Sequence, residues 1–251
     1  MYKITKKIRL IELFGGIGCQ AKAIENLDAK GLLPNGYELY KLVEFDKYCI
    51  ASYNAIHGTN FPVLDICNIH ASDLAIRERE RFEYILTYSF PCQDISGAGK
   101  MRGFDRNSNT RSSLLWQVER LLVECGTELP QILVMENVPL IISKNNIDNF
   151  NEWCNFLKSK GYSNHYKLLN SKDYGIPQNR NRCFMVSILG DYDYHFPEPF
   201  ELKLRLENML EDDVDEKYFL DEEKLDNIKN TSFEQGKLDN RLPTETAGGT
   251  L

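Results

Sequence analysis

Long apolar runs are missing from this chain of 251 residues. The longest, around Ile132 to Met135, is far too short to span a bilayer, which argues against a helical membrane anchor. No secretory leader is expected either. The N-terminus reads MYKITKKIRLIELF, but Glu12 and Gly15 interrupt its apolar part and no small-residue cleavage site follows. An intracellular, cytoplasmic protein is expected. Paired cysteines are absent too: the seven (19, 49, 67, 92, 125, 154 and 183) include no CxxC. That spacing predicts neither a zinc site nor a disulfide framework, and most of the thiols are expected to be small buried hydrophobes. No internal repeat is evident.

An excess of positive charge is also lacking, since the net charge is -7. Its distribution matters more than its sum. From Glu198 to Leu251 there are 15 Asp/Glu against 7 Lys/Arg, whereas residues 1 to 197 carry 23 Lys/Arg against 22 Asp/Glu. The acidity belongs to the tail, so the first 197 residues retain the capacity for a basic face and a nucleic-acid partner is not excluded. Hydrophobic residues at 42% and charged residues at 27% are ordinary globular values, and the length suits one α/β domain with a small appendage.

The chain alternates strand and helix signals. Strands are predicted at Ile8–Leu13, Tyr37–Phe45, Phe61–Ile66, Phe82–Phe90, Ile132–Val138 and Cys183–Leu189. Helices are predicted at Cys19–Ala29, at Asp46–Ile56 with Asp46 near the cap, at His70–Glu80, at Ser112–Cys125 and at Ile147–Lys160. Such alternation predicts an α/β fold with a mostly parallel, doubly wound sheet. Asp94 to Arg111 is polar and aperiodic, a long loop of the kind that carries function. Beyond Pro199 the pattern decays into an acidic helical stretch and a Gly/Thr-rich end.

Four places could carry chemistry. Gly16, Gly18 and Ala21 fit G-x-G-x-x-G/A between a strand and a helix, a turn that lets a ligand approach the backbone. Glu44 and Asp65 close the next two predicted strands, where carboxylates can accept from ribose hydroxyls and an adenine amino group. The glycine pattern alone fits any tight turn; with the two acids it favours an adenosine-type cofactor. Cys92, in SFPCQDIS, follows a strand end and opens the long loop, a placement suited to a nucleophile as well as to a structural thiol. Glu136 in MENV is either a solvated residue beside a capping Asn137 or an acid that holds a ring nitrogen. Arg180 and Arg182 in QNRNR form either an ordinary basic patch or a contact to a planar, oxygen-bearing substrate and its phosphates.

Taken in order, ELFGGIG, VEFD, LDI, SFPCQDIS, MENV and QNRNR resemble the DNA cytosine-5 methyltransferases over residues 8 to about 190. TRSSLLWQVERLL is similar to the helix that follows the family's catalytic loop. The resemblance implies a class I S-adenosylmethionine-dependent methyltransferase fold, Rossmann-like, with double-stranded DNA as partner. It places Phe14, Gly16, Ile17, Gly18, Glu44, Phe45, Asp65, Ile66 and Pro91 around S-adenosylmethionine. Cys92 becomes the nucleophile that adds to carbon-6 of a flipped-out cytosine, Glu136 the contact to ring nitrogen 3, and Arg182, with Arg180, the contact to the ring oxygen and nearby groups. Gln93, Ser96, Lys100, Arg102, Arg106 and Arg111 fall in or beside a lid near phosphates.

Gly15 and Cys19 stand where the family more often has Ala and Gly, which disturbs nothing. The larger departure is the end. A target-recognition region and the last motifs do not follow, and LPTETAGGTL resembles the start of that region. The expected organisation is a catalytic and cofactor-binding domain over 1–197 and an acidic connector with the beginning of a recognition region over 198–251. Either a second polypeptide supplies the remainder or the chain is a truncated product. The leading expectation is a prokaryotic or phage enzyme of a restriction-modification system. A non-catalytic cofactor- or DNA-binding remnant and a tRNA-directed relative are the alternatives. A nicotinamide dehydrogenase would leave SFPCQ and ENV unexplained.

Overall fold

The computed structural model describes residues 2–95, 103–106, 108 and 110–228. Two compact units divide them: one holds residues up to Leu168 and Arg182–Phe196, the other Leu169–Asn181 and the stretch from Pro197 onward.

The first unit is built on a six-stranded sheet in the order β2-β1-β3-β4-β6-β5. Its strands are β1 (Lys7–Leu13), β2 (Tyr37–Val43), β3 (Phe82–Tyr88), β4 (Ile132–Asn137), β5 (Tyr162–Asn170) and β6 (Asn181–Leu189). β1 to β4 pair in parallel, and β6 runs antiparallel to β4. The helices are α1 (Cys19–Ala29), α2 (Lys47–His57), α3 (Ala71–Leu74), α4 (Leu115–Glu124, led in by a 3-10 turn at Arg111–Leu114), α5 (Ile147–Ser159) and α6 (Glu222–Ile228), the last in the second unit.

A central parallel strand is buried on both faces and so reads as a nearly continuous apolar run, which β3 shows with every residue from Glu83 to Tyr88 buried. One core cluster joins Ile11, Leu86, Leu133 and Met135 to Trp116 and Leu122 of α4 and Trp153 of α5. The other joins Leu10, Ile85 and Ile132 to Ala21 of α1 and Tyr53 of α2. Helices therefore cover both faces. The larger core satisfies its indoles internally: Trp153 donates to the Tyr88 hydroxyl at 3.0 Å and Trp116 to the Phe104 carbonyl at 2.8 Å.

Several expectations need correction. Phe61–Ile66 is not a strand; the Leu64 N–H donates to the Glu44 carbonyl at 2.9 Å, and a turn over 65–68 follows. That bond, with the Asn54 side chain bonded to both the N–H and the carbonyl of Phe61, holds the segment beside the end of β2 without a ladder. The expected helix at His70–Glu80 shrinks to α3, since Ala75 and Glu78 take left-handed backbone angles. β5 was not anticipated, because YSNHYKLLN has too few apolar positions for a clear period-two signal. Only Cys183 is buried; Cys19 and Cys67 are exposed and the rest half-buried, contrary to the expectation that most thiols are enclosed.

Candidate active site

In the order β2-β1-β3-β4 the chain winds one way from β1 to β2 and the other way to β3. A crevice opens where this direction changes, at the carboxyl ends of β1 and β3. The turn after β1 and the Ser89–Cys92 segment after β3 flank it, and Gln20 of α1 donates to the Ser89 hydroxyl across it at 3.0 Å.

Positive backbone angles shape the first wall. Phe14, Gly16 and Gly18 have φ of 58°, 56° and 88°, which an L side chain tolerates poorly. At Gly18 a Cβ would also lie 2.3 Å from His57 Nε2, whereas at Gly16 nothing lies within 4 Å. Gly18 is thus needed for packing and Gly16 borders open space. The Glu44 carboxylate accepts from the Gly16 N–H at 3.1 Å and from the Asp46 N–H at 2.9 Å. Asp46 caps α2 by accepting from Tyr48 and Cys49 N–H groups. Fixed by two donors, Glu44 keeps further lone pairs for a ligand's hydroxyls. Phe45 is 65% exposed beside it, and Asp65 Oδ1 accepts from the Cys67 N–H at 2.9 Å in the neighbouring turn. Open space over Gly16, an anchored carboxylate, an exposed ring and a second carboxylate fit an adenosyl cofactor.

Sequence reasoning missed the layer beneath. Glu12 is 1% exposed; it accepts from the Ala21 N–H at 3.2 Å and from the Tyr53 hydroxyl. Burial pushes its carboxyl up to about 6, against the pull of those two hydrogen bonds. Tyr53 is raised in turn by burial and by Glu12. His57 bridges Glu25 at 2.7 Å and the Ile17 carbonyl at 3.2 Å. The only sequence signal was an acid among the apolar residues Leu10, Ile11 and Leu13 of β1.

On the second wall Cys92 is half-buried and packs against the larger core. Asn137, 2% exposed at the end of β4, donates to the Phe90 carbonyl at 3.0 Å while its own oxygen accepts from the Val138 N–H. The bond ties the approach to Cys92 to the strand carrying Glu136. Ser112 adds a second tie, donating to the Pro91 carbonyl at 2.6 Å and accepting from the Asp94 N–H at 3.3 Å. Neither role was anticipated for Asn137 or Ser112; a hydroxyl just before an amphipathic helix was the only clue to the latter.

Because β6 is antiparallel to β4, its beginning meets the end of β4, with Asn137 opposite Cys183 and Glu136 opposite Phe184. Arg182 therefore reaches Glu136, Nε to Oε1 at 2.8 Å. Arg180 falls in the second unit, where its N–H donates to Asn170 Oδ1 at 3.2 Å. Arg111 donates to Gln93 at 3.1 Å. Arg106 is held by Glu119 at 2.6 Å and Glu152 at 2.6 Å, with its guanidinium 4.0 Å over the Trp116 ring. Ser96, Lys100 and Arg102 lie outside the described residues. Among the described residues no cluster of three or more His, Cys, Asp or Glu could hold a metal, and no helix is long and apolar enough to cross a membrane.

Comparison with known proteins bears on this geometry. The family model for C-5 cytosine-specific DNA methylase matches residues 8–246. The type II methyltransferase M2.ScrFI of Lactococcus lactis subsp. cremoris is 46% identical over 135 residues, covering 53% of this chain and 37% of that protein. The orphan methyltransferase M.SssI of Spiroplasma monobiae is 32% identical over 240 residues, covering 75% of this chain and 61% of that protein. The fold matches the crystal structure of S. pombe Dnmt2 methyltransferase with a TM-score of 0.66 at 20% identity, over 92% of this chain and 67% of that one. The chain thus spans 37% and 61% of the two curated relatives.

Proposed function

Since the chain belongs to the C-5 cytosine-specific DNA methylase family, we propose that it carries the chemistry for moving a methyl group from S-adenosylmethionine to carbon-5 of a cytosine in double-stranded DNA. The observation that carries this reading is a convergence at one sheet edge. The anchored Glu44 and glycine turn stand on one side of the crevice, and Cys92 is tied through Asn137 to the Glu136–Arg182 pair on the other.

Phe14, Gly16, Ile17 and Gly18 border the cofactor. Glu44 accepts from its ribose, Phe45, Asp65 and Ile66 meet its adenine, and Pro91 lines the crevice. When bound, the cofactor supplies a methyl group activated by a positively charged sulfur. The Cys92 thiolate adds to carbon-6 of the ring, which makes carbon-5 electron-rich. Glu136 contacts ring nitrogen 3 and stabilises the developing enamine, while Arg182 holds the ring oxygen and Arg180 lies nearby in sequence. Carbon-5 would take the methyl group as its bond to sulfur breaks and S-adenosylhomocysteine leaves; loss of the carbon-5 proton to water and release of Cys92 would then restore aromaticity. Carbon-6 is inaccessible in a stacked duplex, so the base must be flipped out at a cost of about a few kcal/mol. Gln93, Ser96, Lys100, Arg102, Arg106 and Arg111 belong by sequence position to the lid that meets DNA; Arg106 reaches a phosphate only after leaving Glu119 and Glu152.

Residues 1–197 form the catalytic and cofactor-binding part, and 198–251 form an acidic connector and the start of the recognition region. The setting is restriction-modification, in the cytoplasm of a prokaryote or a phage-infected host. The test is incubation of the purified chain with labelled S-adenosylmethionine and unmethylated DNA, with Cys92→Ala as control. Label recovered as 5-methylcytosine, and lost in the variant, supports the chemistry and removes the need for a partner chain. Cofactor binding without transfer supports an enzyme awaiting its recognition half. A folded chain that binds no cofactor overturns the reading.

A further inference from the structure

The helix α4 carries no residue that the reaction uses, yet one of its side chains reaches the cofactor wall. Arg120 directs Nη2 to two backbone carbonyls at once, Ile66 at 2.9 Å and Ile69 at 3.0 Å. Its other nitrogens are fixed from the helix itself, Nε by Gln117 Oε1 at 2.8 Å and Nη1 by Glu124 Oε1 at 2.6 Å. Glu124 then accepts from the Ala71 N–H at 3.0 Å at the far end of the same loop. All four groups that orient the guanidinium are acceptors, and the fork is planar and rigid, so its direction is fixed on both sides.

The loop needs such support. Residues 61–66 form no strand, so between the Leu64 N–H bonded to Glu44 and the Ala71 N–H bonded to Glu124 no ladder holds the backbone. The Ile66 and Ile69 side chains are buried in the larger core, but the turn's own backbone bonds are local, Asn68 N–H to the Asp65 carbonyl at 2.9 Å and Cys67 N–H to the Asp65 carboxylate. The Ile66 carbonyl lies within that turn and the Ile69 carbonyl just beyond it, and Arg120 clasps both. We propose that Arg120 is a positioning residue for purine recognition: by clasping this turn from α4 it holds the Asp65 carboxylate where it accepts from an exocyclic amino group, and so lets the site tell adenine from hypoxanthine. The inference rests on the cofactor reading above and adds a determinant of its base specificity.

Hypoxanthine presents a carbonyl oxygen where adenine presents an amino group. Facing a held carboxylate, that oxygen is an acceptor against an acceptor, and the mismatch should weaken binding by about tenfold or more. A slack turn lets the carboxylate swing away into water, and the discrimination fades while the ribose contacts at Glu44 persist.

The experiment is calorimetric titration of the full chain with S-adenosylhomocysteine and with S-inosylhomocysteine. The unaltered protein should prefer the adenosyl compound, R120M should reduce the preference to within about threefold, and R120Q, which keeps one donating arm, should fall between. Far-ultraviolet circular dichroism and thermal melting identify which variants are folded, and R120Q carries the test if R120M is not. In a D65N background, R120Q should change the ratio no further, because Arg120 acts through that carboxylate. A folded Arg120 variant that keeps the full preference, or a further loss in the D65N background, overturns the inference and leaves the cofactor reading intact. Equal binding of both compounds by the unaltered protein overturns the inference alone. Binding of neither overturns both.

Discussion

Replacing Glu12 by Gln isolates the cost of one buried carboxylate under the glycine turn. Glu12 has an ordinary carboxyl value of 4.5 in the unfolded chain and is pushed up to about 6 in the folded one. A group whose value rises on folding favours the folded state in its protonated form. Its contribution is therefore fully present below the unfolded value and lost as the pH rises through the folded value. A shift from 4.5 to about 6 corresponds to about 2 kcal/mol. Gln is neutral at every pH, fills the same space and can still accept from the Ala21 N–H. Its unequal fit to the Tyr53 hydroxyl adds an offset that does not vary with pH. Urea unfolding of both proteins from pH 4.5 to 7.5 should therefore show the stability of E12Q relative to the native chain rising by about 2 kcal/mol, nearly all of it by pH 7. Titrating groups that do not interact with Glu12 cancel in that difference. Parallel pH curves for the two proteins would refute the reasoning, and would mean that the carboxylate is better solvated or better paired than its burial implies.

Further expectations follow from particular contacts. Gly16→Ala should fold with a loss of about 1 kcal/mol to backbone strain but bind S-adenosylhomocysteine more weakly, because its Cβ enters the space over the turn, whereas Gly18→Ala should unfold at markedly lower temperature because its Cβ meets His57 and Tyr53; equal melting temperatures would contradict the packing argument. Asn137→Ala strands the Phe90 carbonyl and the Val138 N–H in a buried site and should cost about 2–4 kcal/mol by urea unfolding. Arg106→Met should cost under about 1 kcal/mol despite its two ion pairs, because its side chain is 41% exposed; a much larger loss in the same assay would show that the stack on Trp116 dominates.

How far the fold was legible depended on whether the signal was local. The bounds of α1, Cys19–Ala29, agree with the sequence reading to the residue, because a left-handed glycine ends the turn before it. Leu115, Val118 and Leu122 of α4 repeat at helical spacing and left little choice. Phe61–Ile66 misled because strand propensity is decided by a neighbour, and none pairs there. β5 stayed hidden for the complementary reason: as the last strand in the order it buries few side chains, so its pattern is weak. In the candidate site, Glu44 lies beside Gly16 and Arg182 beside Glu136, neighbours that the motifs had already grouped. The partners between them were not readable. Tyr53 is 41 residues from Glu12 and Asn137 is 47 from Phe90, and no local pattern announces a contact at that separation.

The reversed direction of β6 has a consequence for how this architecture can be altered. In β1, β3 and β4 the candidate site residues lie at or just past the strand's end, while in β6 Arg182 lies at its beginning, arriving where Glu136 departs. An insertion ahead of β6 is thus delivered to the reactive rim, and one behind it to the opposite rim, near the start of β4 where Ile188 faces Ile132. Grafted segments meant to change what the crevice meets belong in the first position. Tags, linkers and fused domains belong in the second, where they trail away from Cys92.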